Sequence, residues 1–271
     1  MKRIMAAGVI ALAGLLWTDA SVRAEDKPAA TGRAEVYQTG HLLDKKVRNL
    51  KGEDIGQIED FVVDIKTGQI VYAVLAYGET LGFGGKLFAL PAERIKMADD
   101  LSAVIVDVPK DTLDKAKGFD ANVWPKVPDA LFATQPAGAD KAPVIEPKPA
   151  ANDKDDAGRA HMVRVTAIKG MNVKSPKGQD LGNINGLALD LKNRKIVYAA
   201  LSHGGVAGVG AKLFAIPWDA LRLEGLTLKP GERVLVLNAA KETFDNIPGF
   251  DANNWPTTAD QRFTKEKLEK N

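Results

Sequence analysis

The residues best placed to do chemistry lie in two glycine-rich stretches that end in lysine, Gly82-Phe83-Gly84-Gly85-Lys86-Leu87 and Gly208-Val209-Gly210-Ala211-Lys212-Leu213. A glycine-rich loop followed by lysine is the material of a phosphate cradle, in which backbone N–H groups and an ammonium hold an anion. The P-loop spacing also needs a glycine six residues before the lysine and Ser or Thr after it. Thr80 and Leu87 occupy those places in the first stretch, Val206 and Leu213 in the second. No strand–loop–helix unit surrounds either stretch, which removes the dinucleotide fingerprint. The glycines therefore read as β-connections that need positive φ, and Lys86 and Lys212 as stems lying over a barrel rim.

The other reactive types are sparse. His41, His161 and His203 have no metal-like spacing. His203, in Ser202-His203-Gly204-Gly205, is the most informative of the three, because a loop histidine can make a pH-sensitive contact near neutrality; a plainly solvated ring is the simpler alternative. No cysteine is present, which excludes disulfides, thiolate chemistry and cysteine metal sites. No Ser-His-Asp arrangement can be placed. Asp54, Asp64 and Asp120, and their matches Asp180, Asp190 and Asp251, could in principle form acid–base or calcium sites. Each falls beside Gly or Asn, where capping of a turn explains it. The candidate binding residues are thus His203, Gly204, Gly205, Lys86, Lys212 and Trp218, with no catalytic or metal-binding set and no cofactor expected.

These candidates come in pairs because the chain repeats itself. Val47 to Pro91 superimposes on Val173 to Pro217 at an offset of 126 residues without a gap. Gly118 to Pro125 (GFDANVWP) returns as Gly249 to Pro256 (GFDANNWP) at an offset of 131, so a small insertion falls near Gly225 to Glu232. Within each copy the signals are β. VVDIKTGQIVYAVL reads as a hairpin with Asp64 and Gly68 building its turn, and LDLKNRKIVYAAL as its counterpart, with Asn193 or Arg194 replacing the glycine. KLFALP, AVIVDV and VLVLN add short strands, and no helix of convincing amphipathic length appears. Phe119 and Trp124, with Phe250 and Trp255, read as a local aromatic core closing a barrel end.

The N-terminus shows Lys2-Arg3, an apolar run from Ile4 to Trp17, and small residues at Ala20 and Ala24. This is the three-part pattern of a cleaved secretory signal peptide, too short to span a bilayer. Removing residues 1–24 leaves acidic and basic residues in equal number, so the clustered basic surface of a nucleic-acid binder is not expected. The organisation read from the chain is a signal peptide over 1–24, module 1 over 35–127, a flexible Pro/Ala-rich linker over 128–160, module 2 over 161–258, and a charged tail over 259–271 that forms a frayed helix at most.

GEDIGQIEDFVVDIKTGQIVYAVL with LGFGGKLFALP, and GQDLGNINGLALDLKNRKIVYAAL with VAGVGAKLFAIPWDAL, resemble the PRC-barrel family. That family is named for the cytoplasmic domain of the photosynthetic reaction-centre H subunit and includes a domain of a ribosome maturation factor. The resemblance implies an all-β fold, here two tandem small antiparallel β-barrels joined by the linker. Module 2 follows the pattern more closely, with Ser202-His203-Gly204-Gly205 and Pro217-Trp218 where module 1 has Tyr77-Gly78-Glu79-Thr80 and Pro91-Ala92. The family offers no shared active site and implies protein interaction. The expectation is therefore a non-enzymatic periplasmic protein that docks to an envelope or membrane protein or self-associates. No nucleic-acid partner is expected. A carrier of a lipid or small apolar ligand stays open as the alternative.

Overall fold

The computed structural model describes residues 35–78, 85–132, 161–205, 210–225 and 233–269. The expected signal peptide, residues 133–160 of the linker, the centres of both glycine-rich loops and the insertion at 226–232 lie outside the described residues. The first repeat contributes β1 (Val36–Gln38), α1 (Thr39–Leu42), β2 (Lys46–Asn49), β3 (Asp54–Asp64), β4 (Ile70–Tyr77), β5 (Lys86–Pro91), β6 (Ile95–Met97), β7 (Val104–Val106) and α2 (Lys110–Lys115). The second contributes β8 (Met162–Arg164), α3 (Val165–Ile168), β9 (Asn172–Lys174), β10 (Asp180–Asp190), β11 (Lys195–His203), β12 (Lys212–Pro217), β13 (Leu221–Glu224), β14 (Val234–Leu237), α4 (Glu242–Asp245) and α5 (Lys265–Glu269). Two equivalent sheets result, ordered β5-β4-β3-β2-β7-β6 and β12-β11-β10-β9-β14-β13. All pairings are antiparallel except β2 with β7 and β9 with β14.

The local rules read from the sequence account for the hairpins. Asp64 Oδ1 accepts from the N–H groups of Lys66 (2.9 Å) and Thr67 (3.1 Å), and Gly68 takes φ +72°. In the second repeat Asp190 Oδ1 accepts from Asn193 N–H (2.8 Å) and Arg194 takes φ +54° without a glycine. Gly56 and Gly182 sit at bulges in β3 and β10. A Cβ there would stand 2.0 Å from the carbonyl oxygen of Ala76 or Ser202, so only glycine lets the partner strand approach.

The two repeats are not beads on a string. Strand β2 covers only the first part of β3, from Asp54 to Gln57. That leaves the backbone edge from Val62 to Asp64 in need of partners. Strand β8 of the other repeat supplies them, pairing Val62, Val63 and Asp64 with Arg164, Val163 and Met162. Reciprocally, β1 pairs with β10 at Val36–Asp190, Tyr37–Leu189 and Gln38–Ala188. Each repeat thus gives its first strand to the other's sheet. The hairpin turns meet as well: Ile70 N–H donates to Arg194 O and Ile196 N–H to Gly68 O, both at 2.8 Å, and Gln69 pairs with Lys195. Residue 69 is thus bridged to its own equivalent at 195, which puts an internal twofold axis between them. One buried apolar cluster runs through both repeats, from Ile58, Phe61 and Val63 to Leu187, Leu189 and Trp218, and the described residues of both repeats belong to one compact unit.

A buried carboxylate of the first repeat lies on this junction. Asp60 in β3 is 2 % exposed. It accepts from Phe61 N–H (2.8 Å), Thr166 N–H (3.2 Å) and the Thr166 hydroxyl (2.5 Å). Burial raises its pKa against the opposing pull of these hydrogen bonds and of Arg164.

The end of the chain also departs from the sequence reading. Phe263 and Leu268 are buried in the core, so the segment expected to fray is docked by its two apolar residues despite its charge. The short turn Gln261–Phe263 matches Ala130–Phe132 in the first repeat, and Asp260 N–H to Ala215 O (2.8 Å) matches Asp129 N–H to Ala89 O (2.9 Å).

Because neither sheet keeps its edge hydrogen bonds without the other repeat, thermal unfolding proceeds in one transition with equal calorimetric and van 't Hoff enthalpies; two separated transitions would contradict the exchanged architecture. For Asp60 the folded pKa lies above the unfolded value, so its contribution to stability is present in full below pH 3.8 and is lost as pH rises through the folded pKa. Asp60→Asn keeps the acceptor oxygen and is expected to flatten that part of the pH–stability curve while leaving stability at pH 7 equal or higher, as read by denaturant melts across pH.

Candidate functional site

His203 is the last residue of β11, still in register with Lys212 of β12. The strand's alternation turns its ring inward, and it is 6 % exposed instead of solvated in a loop. Its Nδ1 lies 2.7 Å from Leu181 O. A carbonyl can only accept, so Nδ1 carries the proton and Nε2 faces Asp245 Oδ1 at 3.5 Å. The ring stacks on Phe244 at 5.0 Å and meets Phe214 edge-on at 6.4 Å. The first repeat has Tyr77 at this position, and its hydroxyl donates to Asp114. Burial, reinforced by Asp114, pushes the Tyr77 hydroxyl up to about 12, so it remains a neutral donor at physiological pH.

The two lysines serve the same helices. Lys86 Nζ donates to Asp114 O (2.6 Å) and Leu113 O (3.3 Å) at the end of α2. Lys212 Nζ donates to Asp245 O (2.9 Å) at the end of α4. The last carbonyls of a helix have no partner within it and favour a cation. Each glycine-rich loop therefore ends in a lysine that fastens a short helix across the barrel end. Tyr77–Asp114 is a second fastening in the first repeat, and His203 stands beside Asp245 at the equivalent place in the second. Gly204 and Gly205 lead the chain out of β11 at φ +72° and +79°, exposed to solvent. Trp218 is 6 % exposed and packs in the shared core against Gly68. The structure brings His203 and Lys212 together around α4. Lys86 stands at the equivalent place in the other repeat, and Trp218 at the twofold junction.

The shared carboxylates cap turns. Asp54 and Asp180 accept from Gly56 and Gly182 N–H (3.3 and 2.9 Å), and Asp120 and Asp251 from Asn122 and Asn253 N–H (both 2.7 Å). Among the described residues no group of three or more His, Asp or Glu could hold a metal ion.

The GFDAN-x-WP elements form local cores, set on the outer face of each sheet. Phe119 and Trp124 pack with Tyr72, Val74 and Ala89; Phe250 and Trp255 pack with Ala188, Tyr198 and Ala215. The Tyr72 hydroxyl donates to Pro125 O and the Tyr198 hydroxyl to Pro256 O, both at 2.7 Å. Backbone bridges from Phe119 to Leu87 and from Phe250 to Leu213 cover the outer edges of β5 and β12.

Two open surface grooves lie among the described residues. One of about 310 Å³ lies between α2 and Leu131, lined by Asp111, Thr112, Lys115 and Ala116. The other, about 300 Å³, lies beside Phe250. At its rim Arg262 reaches Pro248 O (3.1 Å) and Asp260 (2.5 Å); Leu131 is its counterpart in the first repeat. Sequence reading missed Asp60 and its partner Thr166, and the extension of the repeat to Phe132 and Phe263. The recurrence of Asp-x-x-Phe in DALF and DQRF was the available signal.

His203→Phe preserves the stack but removes the ring's hydrogen bond to the buried Leu181 carbonyl and the contact with Asp245. The expected cost is about 1–3 kcal/mol in denaturant melts; an unchanged midpoint would show that the ring contributes only by packing.

A family model for the PRC-barrel domain matches residues 35–113 and 160–243. No curated protein matches the chain. Among the described residues no helix is long and apolar enough to cross a membrane. With two strand-rich sheets built on one repeated plan, and with the family model covering more than half of its length, the chain belongs to the PRC-barrel family as a tandem pair of modules.

Proposed function

We propose that this protein is a non-catalytic binding or assembly protein, exported to the periplasm, that docks to a protein of the envelope or membrane through its first repeat. The PRC-barrel assignment supports the coarser part of this reading, a binding or assembly module. Lys86, Lys212, His203, the aspartates common to both repeats and Asp60 are engaged in helix ends, strand carbonyls, turns and the junction between repeats.

One observation carries the choice of the first repeat. Among the described residues the exposed large apolar side chains are Leu50 (68 %), Leu101, Val123 (71 %), Val127 (60 %) and Leu131, all in that repeat. The second repeat is an internal control with the same backbone plan. It has Asn254, Thr258 and Arg262 where the first has Val123, Val127 and Leu131. Isolated surface aliphatics need no explanation, but exposed Val123, Val127 and Leu131 where the equivalent positions are Asn254, Thr258 and Arg262 do. Val123 and Val127 flank Trp124-Pro125, which is held to the sheet by Tyr72. They are therefore presented on a fixed loop, and little order is lost on docking.

The test is photocrosslinking in the intact envelope from positions 123 and 127, with 254 and 258 as controls. A recurrent envelope or membrane protein captured from the first pair and absent from the second supports docking. Capture of only the protein itself, or of lipid, would replace this reading with self-association or with carriage of an apolar ligand.

A further inference from the structure

We propose that the junction between the repeats is a heterotypic interface: each repeat is shaped to pair with the other and to reject a second copy of itself. This goes beyond the docking reading, because it names the partner that each module's inner surface fits. Three matched sets of residues carry it, and each loses its match if the twofold axis relates identical repeats.

The first set is a knob and a hole. Gly68 lies against Trp218, and a Cβ at residue 68 would stand 2.4 Å from Trp218 Cδ1 and 2.9 Å from Nε1. The equivalent positions on the other side of the axis are Arg194 and Ala92. Pairing two second repeats would set the Cβ of Arg194 into the tryptophan ring at both ends of the axis. Pairing two first repeats would set Gly68 against Ala92 and leave the volume of an indole unfilled.

The second set is the buried carboxylate. Asp60 of the first repeat is satisfied by Thr166 of the second, with Arg164 near enough to act on its charge. The equivalents of Thr166 and Arg164 are Gly40 and Gln38. Two first repeats would bury two carboxylates without that hydroxyl or that guanidinium, and an unpaired buried charge is strongly destabilising. The Arg164 guanidinium also sits 4.9 Å over the ring of Trp124, a contact that Gln38 cannot make to Trp255.

The third set is the reverse contact. The equivalent of Asp60 is Gly186, so the following amide, Leu187 N–H, lacks the carboxylate that serves Phe61. It donates instead to the hydroxyl of Thr39 in the first repeat (3.2 Å). A Cβ at Gly186 would lie 3.1 Å from Trp255 and 3.3 Å from this hydroxyl. The equivalent of Thr39 is Val165, so two second repeats would leave the buried Leu187 amide without an acceptor.

The test uses the full chain with a protease site placed within residues 133–160. The protein is cut, unfolded, refolded in dilute solution and weighed by native mass spectrometry. Random pairing gives heterotypic and homotypic species in a ratio of one to one; the expected result is at least about a tenfold excess of the heterotypic pair, equivalent to 1.4 kcal/mol. Cut protein that is never unfolded, left to exchange with isotope-labelled cut protein, gives the same reading independently of refolding yield. Arg194→Gly then removes one obstacle to pairing of two second repeats at a position whose φ of +54° suits glycine, and is expected to raise that homotypic species several-fold. A statistical mixture, halves that separate as monomers, or an Arg194→Gly protein with unchanged pairing would each overturn the proposal.

Discussion

The structure depends on the backbone edge that β3 and β10 expose beyond the reach of β2 and β9. An open strand edge inside a protein must find hydrogen-bond partners, and here each repeat finds them in the other's first strand. Once those strands are exchanged, the remaining contacts follow the same axis. The two hairpin turns bond each other, the apolar faces merge into one core, and the short helices α1 and α3 are carried onto the opposite sheet. The covalent connection between the repeats keeps these partners at high local concentration.

The twofold plan makes departures from symmetry informative. Where the repeats agree, the residues build the module: Asp64 and Asp190 close hairpins, Tyr72 and Tyr198 hold the aromatic loops, and Lys86 and Lys212 fasten helix ends. Tyr77 and His203 differ in chemistry but take the same place, each aimed at an aspartate on a short helix. Where the repeats disagree without such equivalence, two regions stand out. One is the inner junction, where Gly68, Asp60 and Thr39 are complementary to Trp218, Thr166 and Gly186. The other is the outer loop, where valines replace Asn254 and Thr258.

This division is the basis on which the binding or assembly reading, suggested by the family assignment, is proposed. A site for chemistry leaves polar groups converging on an open cavity. Among the described residues Lys86, Lys212 and His203 are engaged by backbone carbonyls, the aspartates common to both repeats by turn amides, and Asp60 by the junction. The asymmetry of the outer surface is apolar at Val123 and Val127, on a loop that Tyr72 anchors to the sheet, and the docking proposal rests on it.

The sequence determined the repeat, the β-rich modules and the turn chemistry, because these rest on local rules: alternation along a strand, an aspartate two residues before a backbone amide, a glycine at positive φ. It also marked the GFDAN-x-WP elements as local aromatic cores. Only the tertiary structure decided that the first strands are exchanged, that Trp218 lies buried against Gly68, that His203 turns inward, and that Phe263 and Leu268 hold the charged tail to the core. The first two of these outcomes join residues about a hundred or more positions apart, as does Asp60 with Thr166, and no local pattern distinguishes a strand that completes its own sheet from one that completes its neighbour's. Pairing across an axis is set by the whole shape and by which buried groups remain unsatisfied, and those exist only once both repeats are folded.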